Sequence, residues 1–259
     1  MAWRTLNVSF ILALLVLTAL VWTVLSFYLE PVISRDGVVY LGIVQEWHEH
    51  GNGQYIEQWP FIPPLALYLM KLLMDCGLSA VAAGIGINIV LRSLLPVITY
   101  LTTQEVLGDK RIAIAAALLI TFNPSLNDLA IEPQRDIIYL FFCGIMIWLL
   151  LAAIKRKKWY FAAAAGAFLS PALLARHEAF EMLLIAGLGL VILIIKNYRD
   201  WKRHLGNAAA FLAAFVLTSY LLLSMMGVLE LVPRYCVSYQ SRVMLMEQKL
   251  YNPGEPDND

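Results

Sequence analysis

The 259 residues carry 19 Lys and Arg against 19 Asp and Glu, while 60% are apolar and the mean hydropathy is +0.69. A net charge of zero offers nucleic acid no electrostatic footprint, and the apolar content excludes an ordinary water-soluble domain. Apolar runs separated by short charged clusters point instead to an all-α polytopic membrane protein.

A span needs roughly 20 apolar residues. About seven transmembrane segments meet that test: 6–29, 84–107, 112–130, 137–154, 159–176, 179–195 and 205–226. The first follows Arg4, is too long for a signal-peptide core and has no small-x-small cleavage site, so it reads as a retained anchor. Between the spans lie Gly108-Asp109-Lys110-Arg111, then Lys155-Arg156-Lys157-Lys158, then Lys196 to His204. With Arg4, these basic clusters fall on one side if every span is real. Short loops rich in Lys and Arg stay cytoplasmic. The N-terminus is therefore expected inside a bacterial-type inner or plasma membrane, with loop 30–83, the turn near 131–136, the corner 176–178 and the tail outside. Residues 1–226 read as one membrane domain and 227–259 as an extracytoplasmic tail whose polar end is expected to be disordered. Cys76, Cys143 and Cys236 lack metal or redox spacing; a Cys76–Cys236 disulfide and free thiols both stay open.

Two short helices are expected in the first outer loop. From Tyr40, residues Ile43, Val44 and Trp47 recur at i+3, i+4 and i+7. The second starts at Pro63-Pro64, residues suited to a helix start. Leu65, Tyr68, Leu69, Leu72, Leu73 and Cys76 are its expected apolar stripe, with Lys71 and Asp75 off it. At about 13 residues it reaches only about 20 Å, too short to cross, so it is expected in the interface.

Asp36 is the leading chemical candidate. A carboxylate in a partly dry cavity at the boundary would have its pKa raised from about 3.9, which suits it to take a proton from a hydroxyl. The bland alternative makes Asp36 the N-cap of the helix carrying Tyr40. Arg92, Glu132, Arg135, Asp136, Arg176 and Glu178 lie at or just inside the outer boundary. A charge at mid-bilayer costs roughly 2.5–3.5 kcal/mol on insertion scales, so Arg92 must face protein, a wet cavity or the interface. Guanidinium groups grip phosphate in two places, which suggests an anionic headgroup or lipid-linked phosphate. Against this stands simple pairing of each Arg with a neighbouring acid, Arg176 with Glu178 for example. His48 and His50, two apart on a helix, face different sides and make a poor metal pair; His177 is a weak candidate for either role. Trp47, Tyr55, Trp59, Phe61, Tyr235 and Tyr239 fit an interfacial belt. No phosphate-cradling glycine loop, dinucleotide fingerprint, G-x-S-x-G or HExxH occurs, so an activated donor would have to arrive on a lipid.

These residues resemble the polyprenyl-phosphate-dependent GT-C glycosyltransferases, which include protein O-mannosyltransferases and bacterial aminoarabinose transferases. Asp36-Gly37-x-x-Tyr40 looks like the family's acidic first-loop motif, and Pro63-Pro64-Leu65 with Leu67-Tyr68-Leu69 is similar to its juxtamembrane helix. Arg92-Ser93-Leu94-Leu95, Gly108 to Arg111, Arg135-Asp136 and Arg176-His177-Glu178 follow the family's usual order, over residues 6–195. The chain departs in having Gly37 where many members have Glu, Ile62 in place of Lys before Pro-Pro, and fewer spans. The resemblance implies a GT-C-like fold and transfer of a sugar from a polyprenyl-phosphate donor to an extracytoplasmic glycan, lipid or protein. It implies Asp36 as the base, Asp136 as a second acid, and Arg92, Arg135 and Arg176 around the donor phosphate. Tyr40, Glu132 and Glu178 then line the substrate cavity. A divalent metal, present in some members, would fall to Asp36 and Asp136. The alternatives are non-catalytic binding or transport of a lipid-linked glycan, or a truncated or inactive module. A transporter should show interrupted spans or repeat symmetry near the bilayer midplane, and neither is visible in the sequence.

Overall fold

The computed structural model describes residues 7–29, 33–50, 62–196 and 198–231, and all regular structure among them is helical. In chain order the helices are α1 (Val8–Leu29), α2 (Arg35–His50), α3 (Pro64–Asp75), α4 (Ala80–Leu107), α5 (Lys110–Thr121) and α6 (Pro124–Ala130). They continue with α7 (Asp136–Arg156), α8 (Trp159–Ala175), α9 (Ala179–Lys196) and α10 (Trp201–Met225). Each of the seven expected apolar segments is helical. Five of them, α1, α4, α7, α9 and α10, are long and apolar enough to cross a membrane; α8, at 17 residues, is shorter. The protein is an all-α polytopic membrane protein.

The expected span 112–130 is not one straight helix. It breaks after Thr121, and α5 and α6 meet at 53°. The break is local chemistry: Pro124 stands in the first helical position, and the Asn123 side chain accepts from the Leu126 N–H at 3.1 Å. Arg92 serves the other side of the joint. Its side chain is fully buried, and Nη2 donates to the carbonyls of Ile120 and Thr121 at 2.8 and 2.9 Å. Those carbonyls end α5 and lack partners within it, and a cation there also suits the helix dipole.

Small residues set the closest helix contacts. On α8, Ala162, Gly166 and Ser170 recur every four residues and face α10. A Cβ on Gly166 would lie 2.0 Å from the Phe211 carbonyl oxygen. One turn on, the Ser170 hydroxyl donates to the Phe215 carbonyl at 2.8 Å, and Ser219 donates to Ser170 at 3.0 Å. Close backbone approach with hydroxyl bonds is how helices associate where lipid removes the hydrophobic drive. In α1 the buried residues Leu15, Ala19 and Thr23 make a narrow seam, and the other faces are left to lipid.

The two short outer helices share a core with the ends of the spans. Tyr40, Ile43, Val44 and Trp47 of α2 are buried as the spacing predicts, against Leu65, Leu67 and Met70 of α3. The buried stripe of α3 runs through Leu67, Met70 and Met74, while Leu72 is exposed, so the expected stripe through Leu72 is one position off. This helix therefore packs inside protein, because α2 and α4 cover its Met face. His48 Nδ1 meets Asp75 at 2.8 Å, and Lys71 reaches the same carboxylate at 2.7 Å, tying α2 to α3. Met226 and the completely buried Val228 return to this core after α10. The aromatic residues at 55, 59, 61, 235 and 239, Cys236 and the polar tail from 232 lie outside the described residues. Cys76 and Cys143 are free thiols.

Candidate functional site

The turn 131–135 is locked between α2 and α4, and this lock positions the site. Pro133 fits against two glycines: a Cβ on Gly37 of α2 would come within 3.0 Å of Pro133 Cγ, and one on Gly84 of α4 within 2.8 Å of Pro133 Cβ. One turn along α4, the buried Asn88 amide donates to the carbonyls of Glu132 and Gln134 at 2.6 and 2.8 Å, on either side of that proline. The Gln134 amide donates to Ser34 Oγ at 2.8 Å and also reaches the Glu132 carboxylate. Ser34 in turn accepts from the Gly37 N–H at 3.2 Å. Ser34 is thus the cap of α2 and Asp36 is not. Asp36 stands in the first helical turn with its carboxylate exposed, not enclosed as the dry-cavity expectation required.

This clamp brings Arg135 and Asp136, at the start of α7, beside Tyr40 of α2. The Arg135 guanidinium lies 6.0 Å from the Tyr40 ring centre. Across the bundle, Arg176 ends α8 with an extended backbone and joins the same group. One of its Nη atoms donates to Asp136, while Nη2 and Nε grip the two Glu178 oxygens at 2.8 and 3.1 Å. Its guanidinium sits 5.7 Å from the Tyr139 ring centre, one turn into α7. The Arg176 hydrogen bonds hold the Glu178 carboxyl down at about 2, with a further contribution from Arg135. Burial pushes the Tyr40 hydroxyl above its usual range. The Arg135 charge opposes that rise, while Asp36 and Asp136 add to it.

The expected residues therefore divide. Asp36, Tyr40, Arg135, Asp136, Arg176 and Glu178 gather at one end of the bundle, and Glu132 belongs to the clamp beneath them. Arg92 is held elsewhere, at the α5–α6 joint, where Nη2 makes its two carbonyl bonds and Nε and Nη1 are buried without hydrogen-bond partners among the described residues. Two guanidinium groups face the cluster, and they differ. Arg176 is paired with two acids, whereas Arg135 has a buried Nη1 without a hydrogen-bond partner among the described residues. The His48–His50 pair is divided as its spacing predicts, His48 to Asp75 and His50 Nδ1 to the Glu46 carbonyl at 3.1 Å. Among the described residues no three His, Cys, Asp or Glu side chains group as metal ligands. Asp136 is already taken by Arg176, so these residues do not fit a metal centre. Sequence reasoning missed Ser34, Asn88, Pro133, Gln134 and Tyr139. A lone Asn in an apolar helix was the available signal for one of them, since a buried amide must find partners.

Helices packed in a membrane, with acids and guanidinium groups gathered at one end, have the architecture of a GT-C type membrane glycosyltransferase. The family model described as dolichyl-phosphate-mannose-protein mannosyltransferase matches residues 62–230, well over half of the chain, and the chain belongs to that family. The matched range holds Arg135, Asp136, Arg176 and Glu178; α2 with Asp36 and Tyr40 precedes it. No curated protein and no solved structure matches the chain.

Proposed function

We propose that this glycosyltransferase moves a sugar from a polyprenyl-phosphate donor to a hydroxyl acceptor at the extracytoplasmic face, and that the cluster around Tyr40 is its active site. One observation carries the reading: Arg135 at the start of α7 lies over Tyr40 of α2, and Arg176 from the α8–α9 corner, far away in sequence, bonds the adjacent Asp136.

In this reading Asp36, the exposed carboxylate at the edge, accepts the acceptor's proton as its oxygen attacks the anomeric carbon. The bond from that carbon to the donor phosphate breaks on the opposite face, so configuration inverts. The phosphate keeps the bonding electrons, and Arg135, with a donor still unused, receives the growing negative charge. Tyr40 stays protonated at neutral pH and supplies a hydroxyl donor. Asp136 and Glu178 hold Arg176 in place, and Arg176 stacks on Tyr139 to shape the wall. Asp136 is therefore a positioning acid, and its pairing leaves it unavailable to a metal. Placing the basic clusters on the cytoplasmic side puts this end outside.

The test is turnover. Protein reconstituted in liposomes with polyprenyl-phosphate mannose and a hydroxylated acceptor peptide should release polyprenyl phosphate in step with glycosylated peptide. Binding of the lipid with no release of its phosphate would overturn the enzymatic reading in favour of a carrier.

A further inference from the structure

A large cavity lies at the other end of the bundle. Its volume is about 430 Å³, within the roughly 300–1,000 Å³ of ordinary ligand pockets. Leu150 and Ile154 of α7, Leu193 of α9 and Phe211 of α10 form apolar walls, with His204 and Asn207 of α10 as polar groups. Between Asp136 and Leu150, α7 rises about 20 Å, so the cavity is separate from the Tyr40 cluster. Around it, α9 is mostly exposed while α8 and α10 are in backbone contact.

Two independent features describe what would fill it. His204 is 3% exposed, and its Nε2 is buried without a hydrogen-bond partner among the described residues while the residue lines the cavity. Leaving a buried polar atom of this kind unbonded is costly, so something is expected to bond it. The second feature is charge. Lys157, Lys158, Lys196 and Arg199 are exposed at this end. The neighbouring acids are already engaged: Glu105 by Arg156, Asp200 by Arg203, and Asp109 by the Arg111 N–H. The unpaired excess is positive. His204 sits three residues inside the start of α10, about 4.5 Å along its axis, next to the basic residues Lys202 and Arg203.

We propose that this cavity binds an anionic glycerophospholipid from the leaflet on that side. One acyl chain fills the apolar space, the His204 imidazole donates to an ester carbonyl, and the phosphate faces the Lys196–Arg199 rim. The site is independent of the transfer reaction and accounts for how α9 is held against the bundle.

The experiment uses full-length protein in nanodiscs of equal phosphatidylglycerol and phosphatidylcholine, followed by native mass spectrometry of retained lipid. Wild type should retain phosphatidylglycerol with about a tenfold preference. Gly189→Phe should lose that retention about tenfold, since no atom lies within 4 Å of a Cβ built at Gly189 and the ring can enter the cavity. His204→Ala should weaken retention, and Lys196→Gln with Arg199→Gln should abolish the headgroup preference. Unfolding temperatures in lipid-free detergent should match wild type. Equal retention of both lipids by wild type, or undiminished retention by both Gly189→Phe and His204→Ala, would overturn the proposal. Preferential retention of added polyprenyl phosphate would also overturn it, by giving the cavity to the donor.

Discussion

Alanine at Gly84 and alanine at Gly86 should act in opposite directions, and the contrast tests the clamp that carries Arg135 and Asp136. Both glycines lie in α4, and replacing glycine by alanine in a helix gains up to about 1 kcal/mol. At Gly86 nothing lies within 4 Å of the new Cβ, so that gain should appear in full. At Gly84 the new Cβ would sit 2.8 Å from Pro133 Cβ, 3.3 Å from Met70 Cε and 3.4 Å from the Pro133 Cα. Met70 can yield, but Pro133 is held by the Asn88 bonds on both sides. Overpacking of this kind costs about 1–3 kcal/mol, so Gly84→Ala should lose up to about 2 kcal/mol net. The helix gain is common to both, so the separation between the two variants should be the overpacking cost, about 1–3 kcal/mol. Chemical unfolding of the purified protein in nanodiscs measures both. Gly84→Ala should also lower transfer, because Arg135 is two residues from the displaced proline. Equal stabilisation by both substitutions would refute the wedge.

Three further outcomes follow from other contacts. Gly166→Ala sets a methyl against the Phe211 backbone, which cannot move aside as a side chain can, so it should cost about 3 kcal/mol or more and lower the unfolding temperature sharply. Asn88→Ala removes two hydrogen bonds and strands two carbonyls, a loss of about 2–3 kcal/mol, with a rise in donor KM as the turn loosens. Glu178, at about 2 against an ordinary 4.5, is favoured in its ionised form by the fold. Its contribution is complete above about pH 4.5 and is lost as pH falls through about 2. The unfolding-temperature difference between wild type and Glu178→Gln should therefore be largest at neutral pH and disappear near pH 2.

Much of the fold was legible because apolar length speaks directly in sequence. The apolar face of α2 was also readable, since Tyr40, Ile43, Val44 and Trp47 follow one helical stripe. The break in the 112–130 segment was written as Asn123-Pro124, a helix-start signal inside an apolar run, but hydropathy averaging hides it. Arg92 shows what charge type alone leaves out: Nη2 satisfies the carbonyls that the broken span leaves open, a structural task that the sequence does not announce. Gly37 was read as a departure from an acidic motif, and its cause is steric: Pro133, 96 residues further on, occupies the space of a side chain. The clamp was not legible for the same reason. Ser34, Gly37, Gly84, Asn88 and Pro133 carry no common motif, and only their packing in three dimensions joins them.

The most direct measurement is a steady-state comparison of Asp36→Asn and Arg135→Gln in liposomes, with folding checked by unfolding temperature. Loss of a general base should cut kcat by about 10²–10⁴ with donor KM nearly unchanged, while loss of the Arg135 guanidinium should raise donor KM. Wild-type turnover in folded Asp36→Asn protein, or an unchanged donor KM in Arg135→Gln, would contradict an active site built around Tyr40.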